Sequence, residues 1–164
     1  QNYQKHSIEF DLGIRKEGRK VNYDYNFFEV KQLHESSQVP TKGHLNDAGW
    51  DLYSFETVSI PSDATVLVST GIAVAIPKGY AGLIWDRSSM GVKGVHRHAG
   101  VIDSEYRGEV KVCLHNTTQE TYHIEKGDRI AQLLIQEVPT FIQHVVKELD
   151  STQRGDGGFG STGK

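Results

Sequence analysis

The sequence predicts an all-β domain, a distorted jelly roll or β-barrel with an added N-terminal β-hairpin. Three observations carry that expectation. Short apolar segments recur at close spacing, most of them alternating with polar residues at period two. Turns rich in glycine, proline and aspartate separate them, and the chain holds 17 glycines. No apolar stripe of helical period persists for three turns. At 164 residues, 37% of them apolar, the chain suits one domain with a proper core.

In order, Ile8, Phe10, Leu12 and Ile14 alternate with polar residues, and after a charged, glycine-containing turn Val21, Tyr23, Tyr25 and Phe27 do the same. Residues 1–27 therefore form an extension, read as a hairpin. The main β domain spans residues 28–150. It opens with a strand at 28–33 and a polar loop at 35–43. Asp47-Ala48-Gly49 then turns into a strand through Trp50, Asp51 and Leu52, with Asp51 on the face opposite Leu52. Short strands follow at 58–60, 65–69 and 72–76, the last two parted by Thr70-Gly71. Pro77-Lys78-Gly79-Tyr80 is a turn, and residues 81–85 lead into Asp86-Arg87-Ser88-Ser89.

At Gly100-Val101-Ile102-Asp103 a strand ends, residues 104–108 turn, and a strand returns in which Val110, Val112 and Leu114 alternate with Glu109, Lys111 and Cys113. Residues 115–121 read as a polar turn, 122–125 as a strand, 129–138 as a long apolar strand and 141–149 as a last β segment. The end, residues 151–164, is a glycine-rich arm.

Composition narrows the function. A net charge of −3 argues against coating nucleic acid, which needs a broad basic face, although cations gathered at one place can still hold an anion. Cys113 is the only cysteine, so a reducing compartment fits best, and on a strand pattern it reads as a small core residue rather than a nucleophile. No run of about twenty apolar residues and no signal-peptide pattern is present, which indicates neither membrane insertion nor secretion. The chain opens at Gln1 rather than Met, so a few preceding residues are expected.

Several stretches could do chemistry. The glycine-rich end supplies bare N–H groups beside Arg154, Ser161 and Thr162, as a phosphate chain requires, although it lacks P-loop spacing and a flanking helix. Phe159 is odd in a linker, where a ring has nothing to cover. Arg87-Ser88-Ser89 is a second anion-binding candidate, with a surface loop as the equal alternative. Gln132 lies within an apolar strand, either facing outward or holding a water or phosphate, and Asp51 and Asp103 are carboxylates near turns. His96 and His98 are spaced for one strand face, but no third metal ligand lies at the usual spacing, which disfavours zinc.

Five of these stretches, in this order, resemble the homotrimeric dUTPase (dUTP diphosphatase) family. They are Ala48-Gly49-Trp50-Asp51-Leu52, Arg87-Ser88-Ser89, the residues from Gly100 to Gly108, Gly127-Asp128-Arg129-Ile130-Ala131-Gln132-Leu133, and the residues from Arg154 to Gly163. The likeness covers residues 28–164. It implies a homotrimer with sites shared between subunits, each closed by a neighbour's C-terminal arm. It implies hydrolysis of dUTP to dUMP and pyrophosphate with Mg²⁺ on the triphosphate, which keeps uracil out of DNA and supplies dUMP for dTMP synthesis.

Carried over residue by residue, the resemblance makes Asp103 the base that prepares the attacking water. Tyr106 packs on the deoxyribose, and Gly100, Val101, Ile102 and the backbone of Lys111 read the uracil edge. Arg87, Ser88, Ser89 and Gln132 hold the α- and β-phosphates, and Asp51 reaches the metal through water. In the arm, Arg154, Ser161 and Thr162 take the γ-phosphate, with Gly160 beside them, and Phe159 stacks over the uracil. No nucleic acid or membrane partner is implied, and the setting is intracellular, cytoplasmic or nuclear, or a host cell if the chain is viral.

There are departures. Ser89 stands where the family usually has glycine, Trp50 replaces a commoner tyrosine or leucine, and His96-Arg97-His98 is atypical. Residues 1–27 have no counterpart in the minimal pattern. They either pack on the trimer, the favoured reading, or bind a protein partner. Three rivals stand against hydrolysis: the dCTP deaminase branch of the fold, a dUTP-sensing module, and a structural jelly-roll subunit. Cys113 occupies the position where the deaminases carry a proton-moving glutamate, which disfavours the first.

Overall fold

The computed structural model describes residues 27–158. The N-terminal hairpin expected over residues 1–27 lies outside them, save Phe27, as do Phe159, Gly160, Ser161 and Thr162.

Ten strands and one short helix form the domain: β1 (Glu29–Gln32), β2 (Trp50–Tyr53), β3 (Val58–Ile60), β4 (Thr65–Ala75), β5 (Tyr80–Trp85), α1 (Ser88–Val92), β6 (Val95–His98), β7 (Val101–Ile102), β8 (Glu109–Asn116), β9 (Tyr122–Ile124) and β10 (Arg129–Glu137). They make two four-stranded sheets, ordered β1-β4-β8-β6 and β2-β10-β5-β7, and a β3-β9 pair, with every pairing antiparallel. This is the expected all-β, jelly-roll-like architecture, with two open sheets rather than a closed barrel. One apolar cluster joins the sheets. Val68, Val74, Val110, Val112 and Leu114 come from the first, and Leu52, Ile84, Ile130 and Leu133 from the second.

Several expectations need correction. The segments at 65–69 and 72–76 are one strand, β4, whose pairing with β8 shifts register between Ser69 and Ala73. Gly71 sits there at φ +69°, and its N–H is taken by Glu109 Oε1 at 2.9 Å, so the glycine bends the strand instead of ending it. The polar turn at 115–121 begins later, because β8 runs through Asn116. Asn116 is fully buried, and its side-chain amide donates to the carbonyls of Ile60 (2.9 Å), Pro61 (3.2 Å) and Glu120 (2.7 Å). Cys113 is half-buried on the face of β8 opposite Val112 and Leu114, not in the core.

The segment at 141–149 pairs with no strand among the described residues, and Phe141, Ile142, Val145 and Leu149 are all exposed. A period-two pattern becomes a strand only beside a partner edge, and the described residues offer this segment none. Nor do residues 100–108 form a paired hairpin. β7 bonds to β5 in the second sheet, whereas β8 bonds to β4 and β6 in the first. The turn between them therefore crosses from sheet to sheet. Tyr106 fixes it by donating from its hydroxyl to the Glu109 carbonyl (3.0 Å), while its N–H reaches the Asp103 carbonyl (3.1 Å). Any side chain at Gly108 would collide with that ring.

Candidate active site

Sheet register puts the first group of polar residues together. Asp51 on β2 pairs with Gln132 on the central strand β10, and Gln132 pairs with Trp85 on β5. Directly paired residues share a face, so Asp51 and Gln132 point the same way, away from the core side of Leu52 and Leu133. Two residues past Trp85 the chain presents Arg87, then Ser88 and Ser89 at the start of α1. Asp51, Arg87, Ser88, Ser89 and Gln132 line one open cavity of about 340 Å³.

Asp51 organises it. Its Oδ1 accepts the Nε–H of Arg87 at 2.9 Å and its Oδ2 accepts Arg129 Nη1 at 3.1 Å. Arg87 Nη1 also donates to the Arg129 carbonyl (3.1 Å) and to Ser89 Oγ (3.3 Å). Ser89, the departure from the usual glycine, thus becomes a second anchor for the guanidinium. Gln132 Nε2 donates to the Asp86 carbonyl at 2.9 Å, and a Cβ at Gly49 would collide with the Gln132 amide and force it to turn. Two arginines share one carboxylate, which leaves net positive charge and free donors facing the cavity.

Arg129, which braces Asp51 without lining the cavity, is a residue that the sequence by itself does not single out. A register shift between Arg129 and Ala131 on β10 directs it to Asp51, and no residue pattern announces such a bulge. Trp50, another departure, packs edge-on against Phe28 with centroids 5.3 Å apart and carries Lys42 over its ring.

The second group lies elsewhere. Ile102 pairs with Gly82 and Val101 with Leu83, so Asp103 continues toward the Ala81 end of β5. Arg87 follows the opposite end of the same strand. Six residues separate Ala81 from Arg87, about 20 Å of extended chain. Asp103, Tyr106 and Lys111 are exposed there, and Val101 is exposed while Ile102 is buried. Gly100, at φ +119°, presses on Ile84, to whose N–H its carbonyl is bonded at 2.8 Å. Arg154, in the exposed arm, folds back to the Gly157 carbonyl (2.9 Å). One chain therefore assembles the Asp51 cluster but brings neither Asp103 nor Arg154 to it.

Arg87, Ser88, Ser89 and Gln132 thus offer a guanidinium, two hydroxyls and an amide to a solvent-open cavity, a donor set suited to an anion. The family model for dUTPase matches residues 35–163. A deoxyuridine 5′-triphosphate nucleotidohydrolase of Paramecium bursaria Chlorella virus 1 is 50% identical over 82% of this chain and 96% of its own. The enzyme of that name from Saccharomyces cerevisiae is 45% identical over 78% of this chain and 88% of its own. Among solved structures, a point mutant of the dUTPase of Staphylococcus bacteriophage 80alpha, with dUpNHpp, superposes with a TM-score of 0.80 at 31% identity, over 85% of this chain and all of that one. A mutant dUTPase of phage phi11 of S. aureus, described with a structural Mg(II) ion, does so with a TM-score of 0.72 at 29% identity, over 77% of this chain and all of that one. The chain belongs to the dUTPase family, and it is a dUTP diphosphatase.

Proposed function

We propose that the chain hydrolyses dUTP to dUMP and pyrophosphate in sites completed by neighbouring copies of itself, most simply in a homotrimer. The separation of Asp103 from Arg87 along β5 carries this reading. A base must come within hydrogen-bond reach of the water it activates, and groups beyond opposite ends of a six-residue strand cannot serve one phosphate. The exposed apolar residues of segment 141–149 support it too, since they need a surface that the described residues do not supply.

In such a site Arg87, Ser88, Ser89 and Gln132 hold the α- and β-phosphates, with the guanidinium pre-set by Asp51. Asp103 of a second copy takes a proton from a water lying in line with the departing pyrophosphate. Backbone of Gly100, Val101, Ile102 and Lys111 reads the uracil edge and leaves buried groups unpaired against cytosine. Tyr106 covers the deoxyribose where a 2′-hydroxyl would stand. Residues 151–164 act as the closing arm. In it Arg154, Ser161 and Thr162 hold the γ-phosphate, Gly160 lies alongside, and Phe159 covers the base.

Both Asp51 oxygens are already engaged by arginines, and no three His, Cys, Asp or Glu side chains converge among the described residues. That donor set fits a Mg²⁺ ion borne by the triphosphate and touched by Asp51 through water, but not one caged by protein. The ion would neutralise charge on the triphosphate. The physiological role follows from the reaction: removal of dUTP from the pool for DNA synthesis and supply of dUMP. A single cysteine suits a reducing compartment, cytoplasmic, nuclear or that of a host cell.

The test is to incubate the purified chain with each deoxynucleoside triphosphate and Mg²⁺ and to measure pyrophosphate. Release from dUTP alone is expected, without ammonia from dCTP. Asp103→Asn should bind dUTP without turning it over. Full turnover by that variant would remove the assigned base.

A further inference from the structure

We propose that the outer face of the first sheet holds a zinc site, formed by His98, Cys113 and His115 with His96 as fourth donor. The local spacing of His96 and His98 offers no third ligand, but strand pairing does. His96 lies directly opposite His115, and His98 directly opposite Cys113. Opposed residues share a face, so three imidazoles and the only thiol form a two-by-two block on adjacent strands. This face points away from Val112 and Leu114 and takes no part in the phosphate cluster.

The spacing suits an ion. The His98 and His115 rings stand 5.1 Å apart and tilted by 60°. Two imidazoles sharing a tetrahedral zinc have centroids roughly 5 Å apart, given Zn–N bonds of about 2 Å. Both His115 nitrogens are engaged without the ion, Nε2 facing Asp63 Oδ1 at 3.5 Å and Nδ1 meeting Thr65 Oγ1 at 3.0 Å. Binding requires one nitrogen to exchange its partner for the ion while the other keeps an outer carboxylate or hydroxyl. Among the described residues no three of these donors yet meet at one point. Closure requires the Cys113 thiol to swing about a single torsion, the His115 ring to turn from Thr65, and His96 to leave Asp86, from which it stands 3.7 Å. A thiolate with imidazoles selects zinc over magnesium, whose preference is for oxygen.

The full chain, without nucleotide, is titrated with Co²⁺ near neutral pH and then with Zn²⁺. Expected are a cobalt–thiolate absorption band that saturates at one ion per chain and is lost when Zn²⁺ displaces the cobalt, and a thermal midpoint raised by Zn²⁺. Asp63→Asn should weaken binding about tenfold, as loss of an outer carboxylate does. A His98→Ala, His115→Ala double variant, checked for an intact fold by its melting curve, should lose the band. No thiolate band in the wild-type chain, or an undiminished band in the double variant, would overturn the site.

Discussion

Asp51 Oδ1 receives the Nε–H of Arg87 at 2.9 Å, so the guanidinium proposed to hold phosphate is positioned by a carboxylate that would itself repel an anion. That carboxylate also receives Arg129, which makes it the hub of the cavity. Asp51→Asn keeps the shape but leaves one amide N–H pointing at a guanidinium. Misplacing a positioning group by an ångström costs on the order of 100-fold in rate, and a loss of about that size in kcat/KM for dUTP is expected. Unchanged steady-state kinetics would show that Arg87 needs no such anchor.

Gly49 serves the cavity from outside it. A methyl group there runs into Gln132 Oε1 and stands 2.9 Å from Cδ, so Gly49→Ala must turn the amide away from the Asp86 carbonyl. One hydrogen bond of about 1 kcal/mol is forfeited, together with the aim of Gln132. The expected outcome is a kcat/KM about tenfold lower with melting little changed. A large drop in melting temperature with normal activity per folded molecule would contradict it.

How much of this was legible in the sequence follows from what each feature depends on. Alternation alone fixes Val110, Val112 and Leu114 on the core face of β8, because strand period is a local property. The Thr70-Gly71 break misleads, since a glycine marks a bulge as readily as a strand end. The cross-sheet path of residues 100–108 depends on which edge each strand meets, a long-range choice that turn residues do not encode. Arg129 reaches Asp51 beside a register shift, and Asn116 became a buried hub although asparagine usually marks a turn. The segment at 141–149 has strand composition without a strand, because no described strand edge pairs with it.

Asn116 supplies a stability test remote from chemistry. Asn116→Ala removes the amide donor to the Ile60, Pro61 and Glu120 carbonyls and the acceptor of the Thr118 N–H. The Pro61 carbonyl keeps the Ala64 N–H and the Glu120 carbonyl keeps the Thr118 hydroxyl, so the Ile60 carbonyl and the Thr118 N–H bear the loss. Each group left unpaired costs about 1–3 kcal/mol, so a total near 3 kcal/mol is expected after partial relaxation. It should appear in urea as a lower midpoint with an unchanged slope. A midpoint within error of wild type would mean that the loop rehydrates freely.

The proposed shared site makes the sharpest prediction. Asp103→Asn and Arg87→Ala each remove a group to which that proposal gives a role in turnover, at opposite ends of β5. If one copy supplies Asp103 and another Arg87, hybrid assemblies regain sites with both groups intact. Such a site needs its Asp103 from an Arg87→Ala chain and its Arg87 from an Asp103→Asn chain. Random equal mixing in a closed symmetric assembly gives that combination in about a quarter of the sites. Denaturing the two inactive variants together and refolding them should therefore restore roughly a quarter of wild-type turnover, while each refolded alone stays inactive. If both groups served a site within one chain, no mixture could contain an intact one, and activity would stay at zero at every ratio.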